Sequence, residues 1–554
     1  MMRCLVAYLV TCVLVAPGFS ISQGVSDAGK KSTSAIALQI DPRLIAEAAE
    51  VWALIADQKN PIWPGWNASD TPILFYLPGK QDVLINHPRP PEGFVAYGGP
   101  VRFPGGRIMV RDAPTILEWD GQNTSRDIEG VTTLVVADSL SNLRQQIHGL
   151  LEDPRPPAEK AKEIDFSQLA TDPYDQLKLI VHEAFHVFQH RVAPDKSANE
   201  MLLLYYPVLS VDNNVGFALE GRALARALRS EGETALREAA LQFLAVRQER
   251  RAKLPAKAIE YENGVEFGEG LAKYTEYRLL ESLQGRTPRP EMWWAQGFHG
   301  YDHLGFLRSE LVDMMLRHMR GEVSVNNDPY GTAPLRMRLY YSGMAIGALL
   351  DRLSTDWKDR ILHPDVSLTH LVENALSPGA DELRNALDEA RREGDYEALV
   401  AAKRRLAQEG RAKIDGLLTE IEQGDGTGIV VEYGALETPR VGLAFTPFGL
   451  MVVDEDRTIY TQVPIQASFP DGSKVAQTAP RPLLHDKKGR LIRFRLSREL
   501  SHQELAGAVD REILARGEAR QLKFEVPGFS VNAVSATIQW EGRDLRIVLK
   551  PSPQ

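Results

Sequence analysis

Apolar positions change their spacing twice along this chain. Residues 35–150 carry one helical stretch near 41–57, then short apolar runs such as 73–77 and 131–136, broken by many prolines and glycines. From Asp172 to about Gln423 apolar residues recur at helical spacing, with few strand signals. From Gly428 onward short runs return at 429–431, 450–453, 491–496 and 545–549, separated by turn residues. The pattern predicts an α+β chain: a small N-terminal β-rich subdomain over 35–170, a mainly helical domain over 171–380, a charged helical hairpin over 381–425, and a C-terminal β-sandwich-like domain over 426–554. In the hairpin, acid and base alternate every few positions, which suits solvated helix faces and not a binding surface.

The N-terminus has a different character. A basic start, MMR, leads into an apolar run over 4–16, a break at Pro17-Gly18, and small residues at Ser20 and Ser22. This is the layout of a signal peptide over 1–22, with the mature chain starting near Gln23 and released as a secreted or periplasmic protein. The run is too short to span a bilayer, which takes about 20 apolar residues, so no stable membrane insertion is expected after signal cleavage. Both cysteines, Cys4 and Cys12, fall inside this segment. A cleaved chain would then hold no thiol, leaving His, Asp and Glu as the available metal ligands.

Composition adds little beyond class. The chain has 554 residues, 44 % hydrophobic and 25 % charged, as soluble globular proteins do. Its 64 basic and 74 acidic residues give a net charge of −10 with no long basic block, so no nucleic acid partner is expected. Asn67-Ala68-Ser69 is a glycosylation sequon in hosts that glycosylate exported chains. Oligomeric state is not legible in any of these patterns.

The candidate chemistry lies at 182–186, HEAFH. Asp172-Pro173 supplies a cap and a first-turn proline, and Leu177, Ile180, Val181, Ala184, Phe185 and Phe188 form an apolar stripe. His182, Glu183, His186, Gln189 and His190 fall on the other side. Residues four apart on a helix stand about 6 Å apart on one face, so two imidazoles can share one zinc ion, with Glu183 beside them to take a proton from zinc-bound water. With 12 histidines in the chain, this pattern would arise by accident on the order of once in a hundred such sequences, which favours a site. His190 lies two turns from His182, too far to join both histidines on one ion. Glycine and histidine do not occur at the positions where a metzincin would continue; Gln189 and Val192 stand there instead.

A catalytic zinc usually takes three protein ligands, so a third must come from another element. Two downstream stretches offer one: Glu220-Gly221 and Glu269-Gly270-Leu271-Ala272-Lys273-Tyr274-Thr275-Glu276. With these residues the chain resembles the gluzincins, the thermolysin-like and aminopeptidase N-like zinc peptidases. There a Glu-Gly-x-Ala-x-Tyr-x-Glu pattern on a later helix supplies the third ligand. The resemblance covers chiefly residues 130–355 and implies a zincin-like catalytic domain with Zn2+ on His182, His186 and Glu269. Glu220 remains the alternative ligand; as a structural residue it would sit in a salt bridge on a packed helix. Glu269 lies much farther after His186 than in compact family members, so a helical hairpin over 199–256 is expected to project from the catalytic core.

The resemblance also implies an oxyanion donor. Aminopeptidase N-like enzymes carry Tyr-x-x-Gly at the head of a comparable helix, matched here by Tyr340 and Gly343, with Tyr341 as the alternative. Their Gly-x-Met-Glu-Asn signature, which holds a substrate amine, is absent from the sequence. Peptide substrates of this superfamily lie antiparallel to a strand edge before the zinc helix, and residues 130–137 are the candidate strand, with an internal strand of the sheet as the alternative. An aromatic loop holding Trp293, Trp294, His299 and His303 is a candidate cleft wall, with either histidine as a second oxyanion donor. The expected function is an exported zinc metallopeptidase acting on peptide or protein substrates, with Glu183 as general base. The alternatives are a catalytically inactive zincin-fold binding or scaffold protein, and a zinc amidase acting on a non-protein amide.

Overall fold

A computed structural model describes residues 36–57, 59–113, 115–116, 123–138, 172–324, 331–354, 356–437, 440–442, 450–461, 466–477, 481–509 and 518–551. The expected signal peptide over 1–22 lies outside the described residues. So does much of the stretch between the last N-terminal strand and the HEAFH helix.

The chain opens with helix α1 (Pro42–Ile55), capped by Asp41, whose side chain accepts from the Arg43 N–H. Six strands follow: β1 (Ile73–Leu77), β2 (Gln81–Ile85), β3 (Val95–Ala96), β4 (Ile108–Asp112), β5 (Thr124–Ile128) and β6 (Val131–Ala137). They form one sheet in the order β3-β4-β2-β1-β6-β5. Only β1 and β6 run parallel; the other neighbours are antiparallel. β6 is therefore an interior strand, paired on both sides, and the edge belongs to β5. Of the two readings of 130–137, the internal strand is the one found, and the substrate edge is not there. The two strands are joined by a tight turn at Glu129-Gly130, both at positive φ, so the hairpin carries β5 outward and covers β6.

The helical middle contains α2 (Pro173–Val192), α3 (Val211–Arg229), α4 (Glu233–Arg251), α5 (Ala256–Val265), a π-helical turn (Glu266–Gly270), α6 (Leu271–Leu283), α7 (Leu304–Met319) and α8 (Thr332–Leu353). The stripe on α2 is core: Leu177, Ile180, Val181 and Phe185 are fully buried, and Trp63 and Trp66 pack on Phe185 with ring centroids 4.9 and 5.2 Å away. Burial of such side chains contributes about 1.5–3 kcal/mol each, which seats α2 at the centre of the molecule.

Residues 199–256 do not project. The hairpin α3–α4 lies inside the helical body, and most of α3 is buried. At its centre Arg247 pairs with Glu220 and Glu266, both at 2.8 Å, while Arg250 pairs with Glu220 and Glu262; these side chains are 0–1 % exposed. Glutamates buried this deeply need paired charge, and two arginines from the insertion supply it. The insertion is thus a structural brace behind the π turn.

A short α9 (Leu368–Leu376) leads to the expected charged hairpin, α10 (Ala380–Glu393) and α11 (Tyr396–Gln423). It is not solvated on every face. Ala390 packs on Val215, Leu219 and Val246 of α3 and α4, and Ile414 and Ile421 pack on Met451, Ile459 and Leu484 of the C-terminal sheet. α11 is the spacer between the two bodies.

The C-terminal strands are β7 (Gly428–Glu432), β8 (Arg440–Gly442), β9 (Leu450–Val452), β10 (Arg457–Tyr460), β11 (Gln466–Ser468), β12 (Lys474–Gln477), β13 (Leu483–Asp486), β14 (Leu491–Arg495), β15 (Glu518–Val526), β16 (Phe529–Glu541) and β17 (Asp544–Leu549). Their hydrogen bonds make one branched 11-stranded sheet and not the two separate sheets of a sandwich. β16 is the cause. Its 13 residues pair with β15 on one edge, while β12 and β17 share the other.

Candidate metal centre

Asp172 accepts from the N–H groups of Tyr174 (2.7 Å) and Asp175 (3.4 Å), and this cap fixes where α2 starts and which residues face inward. Four positions along one face, His182 and His186 stand with ring centroids 4.8 Å apart. Each ring is oriented from behind. His182 Nδ1 lies 2.8 Å from Glu276 Oε1, and because a carboxylate only accepts, Nδ1 carries a hydrogen and Nε2 is the nitrogen left to a metal ion. For His186 the anchor is Gln189. Its Nε2 donates to the Phe267 carbonyl at 2.6 Å, which turns its Oε1 toward His186 Nδ1 at 3.0 Å. Nδ1 is thus engaged in both rings, and both Nε2 atoms face Glu269.

Glu269 completes the group from the π turn. Its Oε2 lies 3.4 Å from His182 Nε2 and 3.3 Å from His186 Nε2. Charge-assisted hydrogen bonds run about 2.7–2.9 Å, so these contacts are long for direct pairing. Two ligands on a tetrahedral ion with bonds of about 2.0–2.1 Å stand about 3.3–3.4 Å apart, and the observed spacing matches. One donor atom from each of His182, His186 and Glu269 lies within 4.8 Å of the others, the one such group among the described residues, and it could hold a metal ion.

The π turn depends on a close helix crossing. A Cβ on Gly270 would lie 2.7 Å from Gly343 Cα, and a Cβ on Gly343 would lie 2.6 Å from the Glu266 carbonyl oxygen. Only glycine at both positions lets α8 approach this near, which brings Tyr340 over the site. π turns within helices recur at functional sites.

The charged groups at the site shift one another. Burial opposes the charge on Glu269, but His182, His186 and Arg336 hold its carboxyl well below the usual range. Burial likewise works against a charged His182, yet Glu269 and Glu276 outweigh it and push the imidazole up to about 10. Glu276, buried beside Lys273 and His182, is held down at about 2. Glu183 differs: burial pushes its carboxyl up while His186 and His182 pull against it.

Tyr340 lies with its ring nearly parallel to that of His182, centroids 6.2 Å apart, and its hydroxyl accepts from Arg336 Nη1. Burial and Glu269 both raise its hydroxyl above the usual tyrosine value, so it stays protonated as a donor. Tyr341 faces elsewhere, stacked on His318 at 4.7 Å under Lys273. The group lies on a cleft of about 500 Å³ whose walls include Asn123, Thr124, Ser125, Glu183, His190 and Ser197. Asn123 immediately precedes β5, the edge strand among the described residues, and Thr124 and Ser125 open it.

The structure thus brings His182, Glu183, His186, Glu269 and Tyr340 together. It keeps Glu220 away, fully buried on Arg247 and Arg250 as a structural ion pair. His299 and His303 are exposed and do not line the cleft, because the aromatic loop docks on Tyr174 at the far end of α2. The sequence reading missed the roles of Gln189, Glu276 and Arg336. Glu276 closes the Glu-Gly-x-Ala-x-Tyr-x-Glu pattern seven residues after Glu269, and two-turn spacing was the signal for a shared face. No family model, curated protein or solved structure matches this chain.

Proposed function

We propose that this chain is a zinc-dependent hydrolase of peptide bonds, similar to the gluzincins in ligand set and in the order of its parts. The observation that carries the reading is the spacing of three donor atoms, Glu269 Oε2 at 3.4 and 3.3 Å from two histidine Nε2 atoms whose other nitrogens are anchored. Two imidazoles and one carboxylate are the donor set of a hydrolytic zinc site with a position left for substrate. When bound, zinc would supply Lewis acidity toward a carbonyl and lower the pKa of a water toward about 7.

The chain's own residues supply the rest. Glu183, beside both histidines on the cleft wall, accepts a proton from water and returns it to the leaving amine. The Tyr340 hydroxyl, held from behind by Arg336, donates toward the negative oxygen that develops on the scissile carbonyl. A peptide laid along β5, the last strand of this sheet among the described residues, would pass Asn123, Thr124 and Ser125 on its way to Glu183. Export of the protein remains part of the proposal, on the N-terminal pattern alone. No helix of the described residues is long and apolar enough to cross a membrane.

Digestion of a peptide library tests the reading. The mature protein should cleave peptides, lose this activity to a chelator, regain it with zinc, and cleave about 10²–10⁴-fold more slowly as Glu183→Gln. Cleavage that survives chelation, or that Glu183→Gln carries out at the wild-type rate, would contradict it.

A further inference from the structure

Arg336, one turn into α8, is part of the cleft wall with its side chain 19 % exposed. One guanidinium engages three groups. Nη2 donates to Glu269 Oε1 at 2.9 Å and to Glu200 Oε1 at 2.9 Å, Nε donates to the same Glu200 oxygen at 3.1 Å, and Nη1 donates to the Tyr340 hydroxyl. Glu200 is held in turn, because its Oε2 accepts from the Tyr261 hydroxyl at 3.0 Å. The arginine is thus braced by two elements before it reaches the site.

The consequence falls on Glu269. A free carboxylate can bind a metal ion through one oxygen or two. Here Oε1 is taken by Arg336, while Oε2 alone faces the two histidine nitrogens. We infer that Arg336 is a positioning residue that keeps Glu269 a one-oxygen metal ligand, with Glu200 as its anchor. The inference rests on the metal-site reading above. A lysine cannot replace it, since a compact ammonium lacks the planar fork that spans Glu200, Glu269 and Tyr340 at once. If Arg336 served only to join the segment at Glu200 to α8, its removal would loosen the fold and leave the ligand mode unchanged.

Cobalt(II) in place of zinc separates the two roles, because its visible absorption is strong with four ligands and weakens as ligands are added. The wild-type protein should bind one cobalt with intense bands. In Arg336→Ala the bands should weaken as Oε1 becomes free to bind, and zinc affinity should change by about 10–100-fold, as when other partners of metal ligands are removed. Glu200→Gln should shift the spectrum in the same direction by less, and Arg336→Lys should resemble Arg336→Ala, so the inference stays testable if the alanine variant fails to fold. Unchanged bands in the folded variants, with or without altered affinity, would overturn the inference and leave the metal site standing. A wild-type protein that takes up no cobalt would overturn both.

Discussion

Gln189 and Phe267 are joined by a 2.6 Å hydrogen bond from the Gln189 amide to the Phe267 carbonyl. This contact ties the HEAFH helix to the π turn that carries Glu269. The amide can then offer only its oxygen to His186, so one bond orients one candidate ligand and sets the register of the element bearing another. Gln189→Leu removes the oxygen and the tie. Its zinc affinity, measured by competition with a chromophoric chelator, should fall about 10–100-fold. An unchanged affinity would mean that something else orients His186.

Proton transfer is assigned to Glu183 and metal holding to other residues. Glu183→Gln should therefore keep its full complement of zinc while turnover drops by about 10²–10⁴-fold. Loss of metal in this variant would move Glu183 from chemistry to ligation.

Much of this site was legible in sequence because its signals are local. Two histidines four apart on a capped helix, and a Glu-Gly pattern on a later one, need no tertiary information to be found. The choice between Glu220 and Glu269 was not local. It turned on Arg247 and Arg250, some thirty residues from Glu220, which take that carboxylate into a buried pair. The strand edge was misplaced for a similar reason. Residues 131–137 have the stronger apolar run because β6 is covered on both sides, whereas the edge strand β5, with Arg126 and Asp127 exposed, reads as a loop. The three divisions of the chain were predicted from period alone, but the branched C-terminal sheet follows from the length of β16, which no local pattern signalled.

The crossing of the π turn and α8 has no room for a side chain at Gly343, where an added Cβ would stand 2.6 Å from a carbonyl oxygen. Gly343→Ala should destabilise the protein by about 1–3 kcal/mol, read from chemical denaturation. Zinc affinity should fall with it, because the π turn must shift. A variant as stable as wild type would show that the crossing yields easily.

Glu47 makes a separate prediction about pH. It is fully buried in α1, and burial pushes its carboxyl from 4.5 up to about 8 against the pull of Arg43. Between these values the folded chain keeps a proton that the unfolded chain has lost. Stability from this group is complete below about 4.5 and falls as pH rises toward 8, by up to about 1.4 kcal/mol per pH unit. Glu47→Gln keeps the neutral shape, so it should match wild type near pH 5 and exceed it near pH 9. Parallel stability curves for the two proteins across this range would contradict the assignment.

The most direct test is metal content by elemental analysis of purified mature protein: wild type, Glu269→Gln and Glu220→Gln. The account predicts about one zinc per wild-type chain and retention in Glu220→Gln, which should instead lose about 3–5 kcal/mol of stability by breaking the buried ion pairs. Glu269→Gln should lose most of its zinc. Wild-type protein that binds no zinc after reconstitution, or a Glu269→Gln variant that holds zinc as wild type does, would contradict the account.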